Sequence, residues 1–289
     1  MTTPLVPLGV TAPGPAAVHG GEIRIPSPAG PLAARTFLPD ASPLGWLVWA
    51  HGGSWRGGSS AEWYGATADL AATSGFAVVS VDYRLAPGAR HPQMVEDVFA
   101  ALVWAHGRDR AGRVRPVVAV GGDSAGGTLA ASAALVCRDR GLPLAAQVLA
   151  YPPLDPGCTA DSYRRFPGAF PVAGHLRAAW RAYREPDRPR AADGTRLHST
   201  PFEADDLAGV APAVLATGDV DPVRDDLQRY ALLLREAGVE HVLRRFPGTG
   251  HGAFLQSGHD PAASLRGWLG PALRRLTAPE HGDRTDRTG

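Results

Sequence analysis

The sequence predicts an α/β fold, with a mostly parallel central sheet covered by helices on both faces. Three observations carry this prediction. Short apolar runs alternate with helical patterns along most of the chain, the rhythm of βαβ units. The central runs are apolar throughout rather than alternating, as strands buried on both faces are. Glycines stand just past the helical patterns, at Gly75, Gly107, Gly141 and Gly238, where a left-handed residue ends a helix well.

Taken in order, residues 1–20 are rich in Pro, Gly and Thr and read as a flexible lead. "GEIRI" (21–25) and "LAARTF" (32–37) alternate, which suits an antiparallel edge hairpin feeding the sheet. Then come "WLVWA" (46–50), a helix over Ala61–Ser74, "FAVVSV" (76–81) and a helix over Gln93–His106. "VVAV" (117–120), a helix over Gly126–Arg140 and "AQVLAY" (146–151) complete six strands.

After the sixth strand the rhythm breaks, and residues 152–206 leave the sheet. Their one clear helix, Gly174–Glu185, puts Leu176, Ala179, Trp180 and Tyr183 on one face and Arg177, Arg181 and Arg184 on another. A long excursion from the C-terminal edge of a parallel sheet is where a lid over a site belongs. The chain returns with "AVLAT" (213–217), a helix over Arg224–Ala237, "HVLRRF" (241–246) and a helix over Pro261–Leu276. Residues 21–276 thus read as one domain, followed by a flexible tail over 277–289.

Composition narrows the chemistry. The 44% apolar content supports a sizeable core, and a net charge of +1 gives no footprint for nucleic acid. The chain has no lysine, which excludes a lysine Schiff base, a Ser-Lys dyad and a phosphate-loop lysine. It has no asparagine either, which excludes N-glycosylation and a Cys-His-Asn triad. Two cysteines, Cys137 and Cys158, make no disulfide framework, and Cys137 reads as a small buried thiol. With no signal-peptide pattern and no spanning apolar run, a soluble cytoplasmic protein is expected.

"VAVGGDSAGGTLA" (118–130) runs a strand through a glycine-hemmed serine into a helix, and Gly122–Gly126 fits G-x-S-x-G in the context that gives this motif meaning. The small neighbours let the backbone fold sharply, and Ser124 stands at a helix N-terminus that favours a developing negative charge. A serine nucleophile needs a base, and the base needs an orienting group. In the order Ser…Asp…His, "GDVDPVRDD" offers Asp219, Asp221, Asp225 and Asp226 after one strand, and "PGTGHGAF" offers His251 after the next. Asp225 and Asp226 fall in the helix and read as helix-start or surface charges. Asp221, followed by the rigid Pro222, is preferred as orienter, with Asp219 as the alternative at the strand end. His241 opens a strand and His259 lies farther along a polar loop, so His251 is the favoured base. "AHGGSWRGGSS" follows "WLVWA" directly, and its bare glycines suit the binding of an oxyanion, with the Ala125 N–H as a further donor. His51 has no second ligand at metal spacing, so no metal is expected.

These residues resemble the α/β-hydrolase fold and, more narrowly, the hormone-sensitive-lipase-like bacterial carboxylesterases. The resemblance rests on "HGGSW" (51–55), "VDYRLAPGARHPQMVEDVFAALVW" (81–104), "GGDSAGG" (121–127), and "DVDPVRDD" with "PGTGHGAF". It implies hydrolysis of carboxylic esters of short-to-medium acyl chain or aryl type, with no cofactor. It assigns Ser124 as nucleophile, Asp221 as orienter and His251 as base, with oxyanion donors at Gly52, Gly53 and Ala125. Three departures stand out: Ser54 replaces a third glycine, Gly88 replaces a glutamate, and Ala253 replaces the phenylalanine of "HGF". Residues 1–20 are too short for two cap helices, which leaves the covering to 152–206.

Trp55, Tyr83, Trp180 and Phe254 are the candidate substrate-binding aromatics, with Phe166 and Phe170 also near the mouth. Lid aromatics are expected to control acyl length. Arg164, Arg165 and Arg181 read as a solvated face rather than a carboxylate site. The expected partner is a small-molecule ester, with no nucleic acid and no membrane, and a homodimer is allowed. Alternatives are amide or formamide hydrolysis of the arylformamidase kind and a biosynthetic cyclase, dehydratase or acyltransferase using the same site. A non-enzymatic receptor ranks last because no triad member is missing.

Overall fold

The computed structural model describes residues 18–108, 117–185, 191, 193–256 and 264–278. An eight-stranded sheet has the order β1-β2-β4-β3-β5-β6-β7-β8. β1 (Val18–Ile25) and β2 (Leu32–Pro39) form the antiparallel hairpin, closed by a turn in which the Gly30 N–H donates to Ser27 O. β2 pairs antiparallel with β4 (Ala77–Val81), and every later pairing is parallel. The other strands are β3 (Trp46–Ala50), β5 (Val118–Asp123), β6 (Ala146–Ala150), β7 (Ala213–Gly218) and β8 (His241–Phe246).

Apolar patterning predicts this layering. β4, β5, β6 and β7 are buried at every residue, whereas the edge strand β8 alternates. The helices are α1 (Tyr64–Ser74), α2 (Gln93–Arg108), α3 (Ala125–Asp139), α4 (Asp161–Arg165), α5 (Ala173–Tyr183), α6 (Arg224–Glu236) and α7 (Leu265–Leu276). Among the described residues no helix is long and apolar enough to cross a membrane.

Boundaries differ from the sequence reading for local reasons. β1 begins at Val18, because Val18, His19 and Gly20 pair with Pro39, Leu38 and Phe37. β5 runs on through Gly121, Gly122 and Asp123, which pair with β3 and β6. α1 starts late because Ala61–Trp63 forms a turn, with the Trp63 N–H on Ser59 O. α7 starts at Leu265 behind Ser264, whose side chain accepts from the Gly267 N–H, while 261–263 lie outside the described residues. Residues 1–17 and 279–289 also lie outside them.

The excursion at 152–206 holds α4, α5 and a short 3-10 turn at Pro201–Glu203. α4 has five residues, too few to show a helical period in sequence. α5 buries the predicted face of Leu176, Ala179, Trp180 and Tyr183. The excursion is pinned to the first turn of α6. Asp226 is buried, where the sequence reading allowed a surface charge, and its Oδ2 accepts from the Leu154 and Asp155 amides and the Tyr163 hydroxyl. Asp225 Oδ2 accepts from the Ser162 amide. Burying the carboxyl raises the Asp226 pKa to about 7, against the pull of these donors.

Candidate active site

β5 delivers Ser124 to a turn at the carboxyl edge of the sheet. Its backbone, at φ 51 and ψ −124, lies in a region costly for a side-chain-bearing residue. Two backbone bonds hold it there, Ser124 N–H to Ala150 O at 2.9 Å and Thr128 N–H to Ser124 O at 3.2 Å. The glycines are steric necessities. A Cβ at Gly122 would lie 2.4 Å from the Gly126 carbonyl, and one at Gly126 would lie 2.0 Å from Ala50 O.

Two other strand ends bring partners to this serine. Ser124 Oγ is 2.8 Å from His251 Nε2, and His251 Nδ1 lies 2.9 and 3.1 Å from the two oxygens of Asp221. Asp221 is fully buried, and its Oδ1 also accepts from the Val223 N–H at 3.0 Å. A carboxylate on Nδ1 makes that nitrogen the proton carrier, leaving Nε2 a lone pair facing the hydroxyl. Gly218, which the sequence reading passed over, makes this approach feasible: a Cβ there would stand 1.9 Å from Thr249 O, in the loop carrying His251.

The competing candidates lie elsewhere. Asp219 donates its N–H to Phe246 O and its carbonyl accepts from Arg224, so it braces the loop rather than reaching His251. His241 sits on β8 with Nδ1 on Val239 O, and His259 lies outside the described residues. Among the described residues no cluster of side chains could hold a metal.

The loop after β3 lies against the serine: a Cβ at Gly52 would be 3.3 Å from Ser124 Cβ. Gly53, Ser54 and Trp55 all have positive φ, at 114°, 55° and 59°. His51 is buried, its ring stacks on Tyr83 at 4.4 Å, and its carbonyl accepts from the Tyr83 hydroxyl. Burial lowers its pKa, which keeps it neutral. His51 Nδ1 donates to Gly52 O at 2.7 Å. Because a trans peptide points its C=O and N–H in opposite directions, this bond aims the Gly53 N–H away from His51. Among the described residues the N–H groups of Gly53 and Ala125 donate to no acceptor.

Asp123, beside Ser124, is a further site residue that sequence reasoning missed. Its buried Oδ1 accepts from the indoles of Trp63 at 2.8 Å and Trp49 at 3.3 Å. Desolvation raises its pKa to about 7, opposed by the two indoles, by His251 and by the Gly52 amide. It ties the Ser124 turn to Trp49 on β3 and to Trp63 beyond the glycine loop.

A family model described as the alpha/beta hydrolase fold matches residues 47–255. The chain is an α/β-hydrolase. It is 36% identical over 242 residues to the carboxylic ester hydrolase LipN of Mycobacterium tuberculosis, covering 80% of this chain and 63% of that protein. An arylesterase of Saccharolobus solfataricus is 34% identical, with 78% of this chain and 74% of the relative covered. A hyperthermophilic esterase from Pyrobaculum calidifontis superposes with a TM-score of 0.79 at 32% identity, covering 91% of this chain and 88% of that structure.

In this α/β-hydrolase the four aromatics expected to bind substrate, Trp55, Tyr83, Trp180 and Phe254, are buried, whereas Phe170 is exposed. Trp55 stacks on Tyr183 at 4.6 Å and tilts against Trp180 at 4.6 Å, which joins the glycine loop to α5. Phe254 stacks on Trp49 at 4.5 Å, and Tyr83 carries the His51 carbonyl. Substrate contact by any of these four requires the wall to open. Two other rings meet the imidazole of His251: buried Tyr151 at 4.8 Å and solvent-facing Phe170 at 5.5 Å.

Proposed function

We propose that the chain is a serine esterase cleaving carboxylic esters of short-to-medium acyl chain or aryl type through an acyl-enzyme. The reading rests on one observation, the continuous hydrogen-bonded path from Ser124 Oγ through His251 to buried Asp221. The ester-hydrolase names of the relatives support the choice of substrate class.

Ser124 Oγ attacks the ester carbonyl while His251 Nε2 takes its proton. Asp221 holds the imidazole tautomer and stabilises the imidazolium. The carbonyl oxygen becomes an alkoxide that accepts from the N–H groups of Gly53 and Ala125, whereas the Gly52 amide, expected from sequence as a further donor, is turned to the Asp123 carboxyl. The intermediate collapses, the C–O bond to the alcohol breaks, and His251 gives its proton to the departing oxygen. Water then repeats the sequence on the acyl-serine, freeing the acid and restoring the hydroxyl. The excursion at 152–206 acts as the cover, reaching the site through Phe170, Trp180 and Tyr183. No step calls for a cofactor or metal.

Turnover of p-nitrophenyl acetate by Ser124→Ala tests this reading. The expected result is a fall in kcat of about 10⁴-fold or more, with loss of fluorophosphonate labelling. Wild-type turnover in the variant refutes the assignment. An N-formyl aromatic amine assayed beside the aryl ester separates ester cleavage from formamide hydrolysis.

A further inference from the structure

Four large apolar side chains stand exposed on segments next to the triad residues or on the excursion that meets them. Phe170 is 68% exposed, Leu255 44%, Val220 39% and Val172 38%. Val220 precedes Asp221 and donates its N–H to Thr249 O, two residues before His251. The Leu255 N–H donates to Gly252 O, in the same loop as His251. Phe170 and Val172 come from the excursion, and the Phe170 ring meets the His251 imidazole edge to face, at 5.5 Å and 66°. Exposed phenylalanine is costly to maintain for packing alone, and here it is set against the base itself.

We infer that Phe170 lines the leaving-group side of the site and makes the enzyme select aryl-bearing over alkyl alcohols. The inference rests on the esterase reading above and goes beyond it to the alcohol half of the substrate. The chemistry fixes where that half lies. His251 Nε2 protonates the departing oxygen, so that oxygen comes within about 3 Å of Nε2. The group it carries is then the part of the substrate nearest the imidazole. A ring already touching the imidazole and open to solvent is placed to meet it. The acyl half hangs from the carbonyl carbon on Ser124, held by the glycine loop. An aryl leaving group would pack on Phe170 in the offset or edge-to-face manner that aromatic pairs favour.

The acyl-enzyme offers a direct test, because alcohols compete with water for it. In alcoholysis the alcohol oxygen attacks the acyl carbon, its proton passes to His251 Nε2 and on to Ser124 Oγ, and the bond to Ser124 breaks. The alcohol therefore occupies the leaving-group subsite in reverse. With p-nitrophenyl acetate as donor, the ratio of ester to acetate is measured with benzyl alcohol and with cyclohexylmethanol, which is similar in size but lacks the π face. This ratio is taken within one population of active enzyme, so partial misfolding of a variant does not change it.

Wild type is expected to favour benzyl alcohol. In Phe170→Ala the benzyl ratio should fall roughly two- to tenfold, the worth of one aromatic pair, and the cyclohexylmethyl ratio should fall less. Phe170→Leu should keep cyclohexylmethanol acceptance and lose the benzyl preference. Equal loss for both alcohols overturns the inference, as does an unmoved ratio. So does a change confined to acyl length, read with p-nitrophenyl acetate against butyrate. A wild type that releases no p-nitrophenol removes the esterase reading and this inference with it. An active wild type whose preference survives in Phe170→Ala removes this inference alone.

Discussion

The turn at Ser124 and the excursion at 152–206 both reach His251, the one through the Ser124 hydroxyl and the other through the Phe170 ring, and they are built in opposite ways. At the turn, backbone meets backbone: a methyl group at Gly122, Gly126 or Gly218 would collide with main-chain atoms at 2.4, 2.0 and 1.9 Å. In the excursion, a methyl group at Gly168, Gly174 or Gly194 would meet nothing within 4 Å. The excursion is instead held by side chains, through the Trp55–Trp180–Tyr183 ring cluster and the carboxylates of Asp225 and Asp226. On the reading proposed above, the first fixes atoms for chemistry and the second covers them.

The sharpest test of that division is a change to the chemistry alone. Asp221→Asn keeps volume and burial but removes the charge and lets His251 adopt the wrong tautomer. The expected loss is about 10⁴-fold in kcat, with KM little altered and the melting temperature nearly preserved. Steady-state kinetics beside thermal unfolding checks this. A fall in stability that matches the fall in activity would break the comparison.

In the excursion the expected response is the reverse. Trp180 is 1% exposed between Trp55 and Tyr183. Trp180→Ala should cost about 3–5 kcal/mol of stability through lost contacts and a cavity. It should also shift the acyl-length profile, measured across p-nitrophenyl esters of increasing chain. An unchanged profile would sink the role of this ring in setting acyl length.

The same contrast explains what could be read from the sequence. The turn was legible because its backbone constraints leave only glycine at 122 and 126, and a strand-Gly-x-Ser-x-Gly-helix pattern records that directly. The convergence of His251 and Asp221 on Ser124 was legible because each follows a strand end, in the chain order that a Ser-Asp-His set would take. Gly218 was not, since a lone glycine at a strand end looks like any other until Thr249 O is seen 1.9 Å from its missing methyl. Asp123 was hidden because its partners, Trp49 and Trp63, lie 74 and 60 residues away. The four aromatic candidates illustrate the limit from the other side. Sequence marks a ring as large and apolar, but whether it faces substrate or other rings depends on packing between distant segments.

A third prediction concerns the seam where the excursion meets the sheet. His91 donates its N–H to Tyr183 O at 2.7 Å, and its buried Nε2 has no partner. Burial lowers its pKa to about 4, opposed by Glu203 and by a hydrogen bond to the His198 backbone and helped by the charge of Arg184. A folded pKa below the unfolded 6.5 means the contribution is fully present above pH 6.5 and is lost as pH falls toward 4. The loss amounts to about 3 kcal/mol at most. Asp226 has the opposite sign, since its pKa is raised to about 7 and its share is lost as pH rises through that value. Asp123 shares the sign of Asp226, so the two carboxyls oppose His91 across this range and the readout is the difference between proteins. The melting temperature of His91→Gln should gain on that of wild type as pH falls from 6.5 toward 4. Parallel curves for the two proteins would remove His91 as the acid-sensitive point of the seam.

The smallest effect gives the cleanest separation of the two regions. Gly174 lies exposed in the first turn of α5, and its backbone is not in the left-handed region. Gly174→Ala should stabilise the protein by about 0.5 kcal/mol, because alanine loses less chain entropy in a helix and meets no neighbour. The matching rise in melting temperature is about 1–2 °C for a domain of this size. The same substitution at Gly126 forces a methyl group onto Ala50 O, and should abolish activity through displacement of the helix that begins behind Ser124. If Gly174→Ala destabilised the chain, the excursion would be as tightly constrained at its backbone as the turn is. The contrast between a backbone-fixed turn and a side-chain-held excursion would then fail.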